Sequence, residues 1–408
     1  MAITLPTQSL IGIRDDVQRK DVASRLGRRY EIDLVKAGAA VLLFLFHFFG
    51  LLGELPETWV EWGAFRAFSL KIGDFGLHAL LFLGGFGLAR SLAAPKFEFV
   101  RSVQYRLSAL YAPYAAVIAL ATALSIVFPA LSKFEEGENP VFTIFHQFLL
   151  VPGLFPESPL LSVAYVLTAM VAAAVLCPLW HWPMRDAGVW KGAGYWLATT
   201  AGAALLADLA GVPLYYVAVL AGVAGYFLAK AVEAKTVGLV LPLVLFAAAL
   251  GLGVYLALGL NGNWEFPLIG QFGFEMLTLL LLTAAVVASP ETATPDLLHP
   301  LQFFGMSSYS FYLLHGSVTK VMLLVLFPGF GYQLSAPTDL AIALVVCLGA
   351  ALVASQILYR AVEAPVRLRF AEDRERVLSE EEKRLVIASL QPPGQVRYSR
   401  EESEYRRR

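Results

Sequence analysis

Apolar runs of about 20 residues recur along the whole chain, separated by short polar, glycine- or proline-bearing breaks. A run of that length is what a helix needs to cross the hydrocarbon core of a bilayer. Spans are predicted at about 33–53, 73–92, 108–130, 160–180, 193–211, 213–230, 237–260, 267–289, 305–327 and 338–360. The ninth is unusual, because FFGMSSYSFYLLH begins with small polar residues and could enter as a short re-entrant piece. FTIFHQFLLVPGLFP (142–156) is too short and too broken by proline to span, so it reads as an interfacial or loop-buried segment. The expected fold class is all-α, a polytopic membrane protein of about ten transmembrane helices. No internal repeat is visible, which disfavours transporter architectures built from duplicated halves.

The charges between the runs give an orientation. Arg14, Arg19, Lys20, Arg25, Arg28 and Arg29 precede the first span, and Arg90, Lys96, Arg101 and Arg106 lie between the second and third. Arg185 and Lys191, then Lys230 and Lys235, fall in later loops of the same parity. The intervening loops, such as LSKFEEGENP and GLNGNWEF, are acidic or neutral. Basic residues in short loops stay inside, so both termini are expected to be cytoplasmic. Three regions follow: an N-terminal tail (1–30), a membrane domain (31–365) and a charged tail (366–408). In that last tail EDRERVLSEEEKRL suits an exposed helix and YSREESEYRRR suits disorder.

Composition agrees. The 408 residues are 58% hydrophobic and 15% charged, against about 25% charged in soluble domains. The formal net charge of −1 favours no partner, and nucleic acid is not expected. Cys177 and Cys347 each lie in an apolar run and offer neither a disulfide framework nor metal-ligand spacing. The polar first thirty residues contain no cleavable signal pattern, so the first span is expected to act as a signal anchor.

One span holds an ionisable pair. In DLVKAGAAVLLFLFH (33–47), Lys36 and His47 are eleven positions apart, almost a whole number of 3.6-residue turns, so they share one helix face. At about 1.5 Å per residue they stand roughly 16 Å apart along the axis, too far to bond directly. Lys36 could simply snorkel to the inner interface, and His47 could be a polar packing contact. A histidine at that depth also suits general-base work, because an imidazole ordinarily titrates near neutrality.

The stretch RRYEIDLVKAGAAVLLFLFH resembles the first span of the acyltransferase-3 family, integral membrane proteins that O- or N-acylate carbohydrates and related acceptors. A basic residue, ten intervening residues and a histidine open that family's motif, and Lys36 and His47 match it. GLHALLFLGGFGLARSL (76–92) resembles its second span, with His78 where an aspartate is common, Leu81-Phe82 for an aromatic pair, and Gly84-Gly85-Phe86 for Ser-Gly-Phe. KFEFVRSVQYRLSALYAPY (96–114) resembles its basic loop, with Arg106 and Pro113 in place, Ala109 where a second arginine is expected, and Arg101 the nearest substitute. GMSSYSFYLLH (305–315) carries Gly305, Ser308, Tyr309, Tyr312, Leu313 and His315 of the family's Gly-x-x-Ser-Tyr-x-x-Tyr-Leu-x-His run. YRAVEAPVR (359–367) matches the closing stretch with Glu363 and Pro365.

The resemblance spans roughly 28–367 and implies an acyltransferase of a bacterial inner membrane. Acyl-CoA, acetyl-CoA above all, would be the cytoplasmic donor, and a hydroxyl or amine of a glycan or lipid-linked sugar the acceptor. His47 would be the general base or a transient acyl carrier, with His315 and His78 as further catalytic candidates. Lys36, Arg106 and Arg101 would meet the donor's phosphates. Ser308, Tyr309, Tyr312 and Glu363 would bind substrate, although Glu363 could equally be a surface charge. No metal is expected. The competing readings are a multispan transporter, with Lys36 and His47 moving substrate or protons, and a non-catalytic member of the same family.

Overall fold

A computed structural model describes residues 30–53, 55, 57–93, 97–127, 140–148, 164–234, 239–261, 268–289, 299–367 and 369. The expected acidic loops at 131–139 and 262–266, and both charged tails apart from Tyr30, Val366, Arg367 and Arg369, lie outside the described residues. So do Lys96, Lys133 and Lys235.

The described chain is helical. We number the helices α1 (Tyr30–Leu51), α2 (Val60–Leu92), α3 (Phe99–Val127), α4 (Pro140–Phe148), α5 (Ala164–His181), α6 (Val189–Ala210), α7 (Tyr215–Glu233), α8 (Val240–Asn261), α9 (Leu268–Ala288), α10 (His299–Met306), α11 (Ser308–Val321) and α12 (Pro337–Leu358). α11 runs on through a π-helical turn to Gly329, and α12 ends in another, Tyr359–Glu363. Eight described helices are long and apolar enough to cross a membrane. α6 and α8 occupy the other two expected positions. α2 begins thirteen residues before the predicted span, at Val60, because polar residues such as Glu61, Arg66 and Lys71 are compatible with a helix while hiding its start from a hydropathy window. The ninth span breaks at Ser307, where α10 hands over to α11.

Tyr30–Glu363 forms one compact unit. α2 lies at its centre, packed between α1 and α7, and α7 also meets α6 and α9. A second group gathers α11 between α1 and α12, with α3 alongside. Apolar burial does not drive helices together in lipid, so close packing must. It is closest where α2 crosses α7: a Cβ at Gly85 would overlap the Val219 carbonyl, and one at Gly222 the Phe82 carbonyl. Gly305 likewise lets α10 lie against the Asp33 backbone of α1. Outward faces carry exposed Leu206, Leu209, Val240 and Val345, an apolar surface matched by acyl chains and unsuited to water.

Candidate functional site

α1 is one uninterrupted helix from Tyr30 to Leu51, so Lys36 and His47 do share it. The structure adds a neighbour that sequence reasoning overlooked. Asp33, nearly fully buried, holds Lys36 Nζ at 3.0 Å through its Oδ1. A carboxylate and an ammonium three positions apart are helix neighbours, so the spacing alone could have suggested the pair. Lys36 keeps about a third of its side chain exposed (31%).

His47 meets His315. His315 Nε2 lies 3.1 Å from His47 Nδ1, and the rings meet edge to face with centroids 4.8 Å apart. His315 is completely buried, and Phe311 stacks against it at 5.4 Å. The hydrogen-bond geometry assigns the protons. His315 Nδ1 is 3.0 Å from the Phe311 carbonyl, which only accepts, so this nitrogen must carry a hydrogen. In the neutral ring Nε2 is then an acceptor, and His47 Nδ1 donates toward it. His47 Nδ1 also faces the Leu43 carbonyl at 3.0 Å, which again requires a hydrogen there. The unprotonated nitrogen of His47 is consequently Nε2.

The rest of the GMSSYSFYLLH stretch is held from several sides. Ser308, Tyr312 and His315 share one face of α11, and all three are buried; Tyr312 lies 6.4 Å from His315, centroid to centroid. Tyr309 turns to α3, donating to the Leu110 carbonyl at 2.6 Å. Gln356 of α12 donates to the Ser307 hydroxyl at 2.6 Å, which fixes the break between α10 and α11. Glu363 is fully buried, not a surface charge. Ser310, a residue the sequence reading passed over, donates to Glu363 Oε2 at 2.5 Å.

His78 is engaged elsewhere. Its Nδ1 stands 2.5 Å from Glu275 Oε2 on α9, and Gln271 donates to the other carboxylate oxygen at 2.9 Å. Phe272 closes the imidazole edge-on at 5.3 Å. Glu275 was also missed, although it is the one charged residue in the apolar run 267–289. A lone intramembrane acid is a signal that should have been read.

The expected phosphate-binding cations differ in setting. Arg106 Nη2 donates to the Gly87 carbonyl at 2.8 Å and to the Ser91 hydroxyl, tying α3 to α2. Arg101, half-buried, stands 3.9 Å from Glu98.

Such a membrane-embedded imidazole pair with an unprotonated Nε2 can abstract a proton or attack a carbonyl, and both suit group transfer. Comparison with known proteins agrees in kind. The model of one family, described as an acyltransferase domain, matches residues 29–360. No curated protein and no solved structure matches the chain. Covering almost all of the membrane part, the family match makes this chain a member of the acyltransferase-3 family, a multi-pass membrane acyltransferase.

Proposed function

We propose that the protein moves an acyl group, acetyl in the simplest case, from cytoplasmic acyl-CoA to a hydroxyl or amine of a glycan or lipid-linked sugar in a bacterial inner membrane. The observation that carries this reading is the His47–His315 contact at 3.1 Å with its fixed tautomers. His47 Nε2 takes the proton of the acceptor hydroxyl as that oxygen bonds to the thioester carbonyl carbon. The tetrahedral intermediate collapses, the carbon–sulfur bond breaks, and the imidazolium returns the proton to the departing thiolate. During the step the His47 cation keeps its Nδ1–H on the neutral Nε2 of His315. Hydrogen bonds to ionised partners are about twice as strong as neutral ones, so the contact strengthens as charge develops.

Lys36, Arg106 and Arg101 supply positive charge where the donor's phosphates would enter. Lys36 is shared with Asp33 and Arg106 with α2, so each offers only part of its donor capacity. Glu363, Ser308, Tyr309 and Tyr312 line α11 and its surroundings as the substrate-binding set, and His78 serves with Glu275 as a second proton-exchanging pair.

Purified protein in lipid nanodiscs, given radiolabelled acetyl-CoA and a lipid extract containing glycans, should release CoA and label the extract. His47→Ala should lower the rate by about 10²–10⁴-fold, the usual share of a general base. Turnover by His47→Ala at the wild-type rate would refute the assignment and bring the transporter reading forward.

A further inference from the structure

The short helix α4 is built the wrong way round for a surface helix of a soluble protein. Thr143, His146 and Gln147 lie at i, i+3 and i+4, on one face, and that polar face is buried: 1%, 4% and 1% exposed. The apolar Val141, Phe142 and Phe145 point outward. Lipid explains the outward face. It does not explain the inward one, because Thr143 Oγ1 and Gln147 Oε1 have no hydrogen-bond partner among the described residues. Buried polar atoms are nearly always paired, so two on one nine-residue helix require a cause.

Their depth points to it. Tyr114 of α3 donates to the Gln147 carbonyl at 2.8 Å, pinning the end of α4 to the middle of α3. Gly73 and Gly76 of α2 meet Phe46 and Ala39 of α1, so these two helices are antiparallel. α3 returns from α2 after a short link, with Arg106 beside Gly87 and Ser91, and so runs parallel to α1. α11 is also parallel to α1, since Gly305 abuts Asp33 while His315 meets His47. On these parallel helices Tyr309 reaches Leu110. Tyr114 lies one turn further along α3 and His315 less than two turns along α11, which places them at depths about one turn apart. The end of α4 therefore sits near the level of the histidine pair, far from the membrane surface where a short interfacial helix would lie.

We infer that the buried face of α4 is the acceptor subsite, taking the hydroxyl groups of a neutral sugar through Thr143 and Gln147. This rests on the acyltransferase reading above. A hydroxyl and an amide oxygen can accept hydrogen bonds from sugar hydroxyls, and neither brings the charge that would select a phosphate or carboxylate. Steady-state kinetics in nanodiscs with acetyl-CoA and a short-chain alkyl glucoside as the probe acceptor test it. Thr143→Val and Gln147→Met, both near in size to the native residues, should each raise the KM for the glucoside about tenfold and leave the KM for acetyl-CoA unchanged, whereas Thr143→Ser should keep the native value. Saturable stabilisation of the wild-type protein against heat by the glucoside, weakened in both variants, gives a readout independent of turnover. If wild-type protein turns over but the variants show an unchanged glucoside KM and raised thermal stability, the face holds structural water and the subsite is wrong. If wild-type protein releases no CoA at all yet the glucoside still stabilises it, the acyltransferase reading fails and the sugar site stands.

Discussion

In the proposed mechanism, a neutral histidine behind a reacting histidine does what a carboxylate does in hydrolytic triads, with less charge. It fixes the tautomer through one hydrogen bond and accepts from the imidazolium once the proton has moved. In a low-dielectric setting a second buried charge would be costly, and a neutral acceptor avoids that cost. A hydrogen bond to a charged group contributes about 1.5–3 kcal/mol, so His315→Ala should lower kcat roughly ten- to a hundredfold, with KM for the donor little changed. His315→Gln, whose amide oxygen can accept from His47 Nδ1, should recover part of the loss. Wild-type kcat in the alanine variant would reduce His315 to packing. Each histidine was legible separately, from depth and motif. Their contact was not, because 268 residues separate them and periodicity reports only the face within a helix. Asp33 and Glu275 were legible in principle, as lone acids beside or within apolar runs, but neither belongs to the motifs that mark the basic residues and histidines.

Among the helices, the crossings are set by small residues, and a direct imidazole–carboxylate contact between spans ties α2 to α9. Glu275 is almost completely buried and His78 nearly so, with side chains 2% and 13% exposed. Removing the carboxylate leaves a buried imidazole without its partner, which costs about 1–3 kcal/mol. Glu275→Ala should therefore lower the midpoint of thermal unfolding in nanodiscs clearly, and Glu275→Gln, which can still hydrogen-bond, by much less. Equal midpoints for alanine, glutamine and wild type would show that the glycine crossing of α2 on α7 holds these helices unaided. At this scale the sequence was informative about where helices lie, since each of the ten apolar runs coincides with a helix. It was blind to the start of α2, where polar residues continue a helix without apolar periodicity. It was also blind to the partners of each helix, because lipid-facing and core-facing sides are both apolar and a hydropathy pattern does not distinguish them. The glycine-rich FLGGFG stretch (82–87) is the exception, since small residues mark places where helix backbones can approach closely, and Gly85 lies against α7.

For the molecule as a whole, sidedness decides how the proposed chemistry would be fed, since on that proposal a cytoplasmic donor reaches His47 from the Lys36 end of α1. Several described basic residues gather at one set of helix ends, with Arg66, Lys71 and Lys320 as exceptions nearer the opposite end. Lys191 opens α6 and Lys230 closes α7, while Asp208 lies at the far end of α6. Arg185, in the turn before α6, stacks over the Trp182 ring at 5.0 Å, a pairing suited to the headgroup region. At the opposite end, the turn between α11 and α12 carries no basic residue from Phe330 to Asp339, and Asp339 caps α12 by accepting from the Ser335 and Ala336 backbone. On this distribution Asp186 faces the cytoplasm and Gln333 the other side. Both are exposed, while the native Cys177 and Cys347 are buried and should label poorly. With those two replaced by serine, Asp186→Cys should resist a membrane-impermeant maleimide in intact cells and react once the membrane is opened. Gln333→Cys should react in both cases. Reaction of the Asp186→Cys protein in intact cells would invert the chain, put Lys36 at the outer face, and leave a cytoplasmic acyl-CoA without its route to His47.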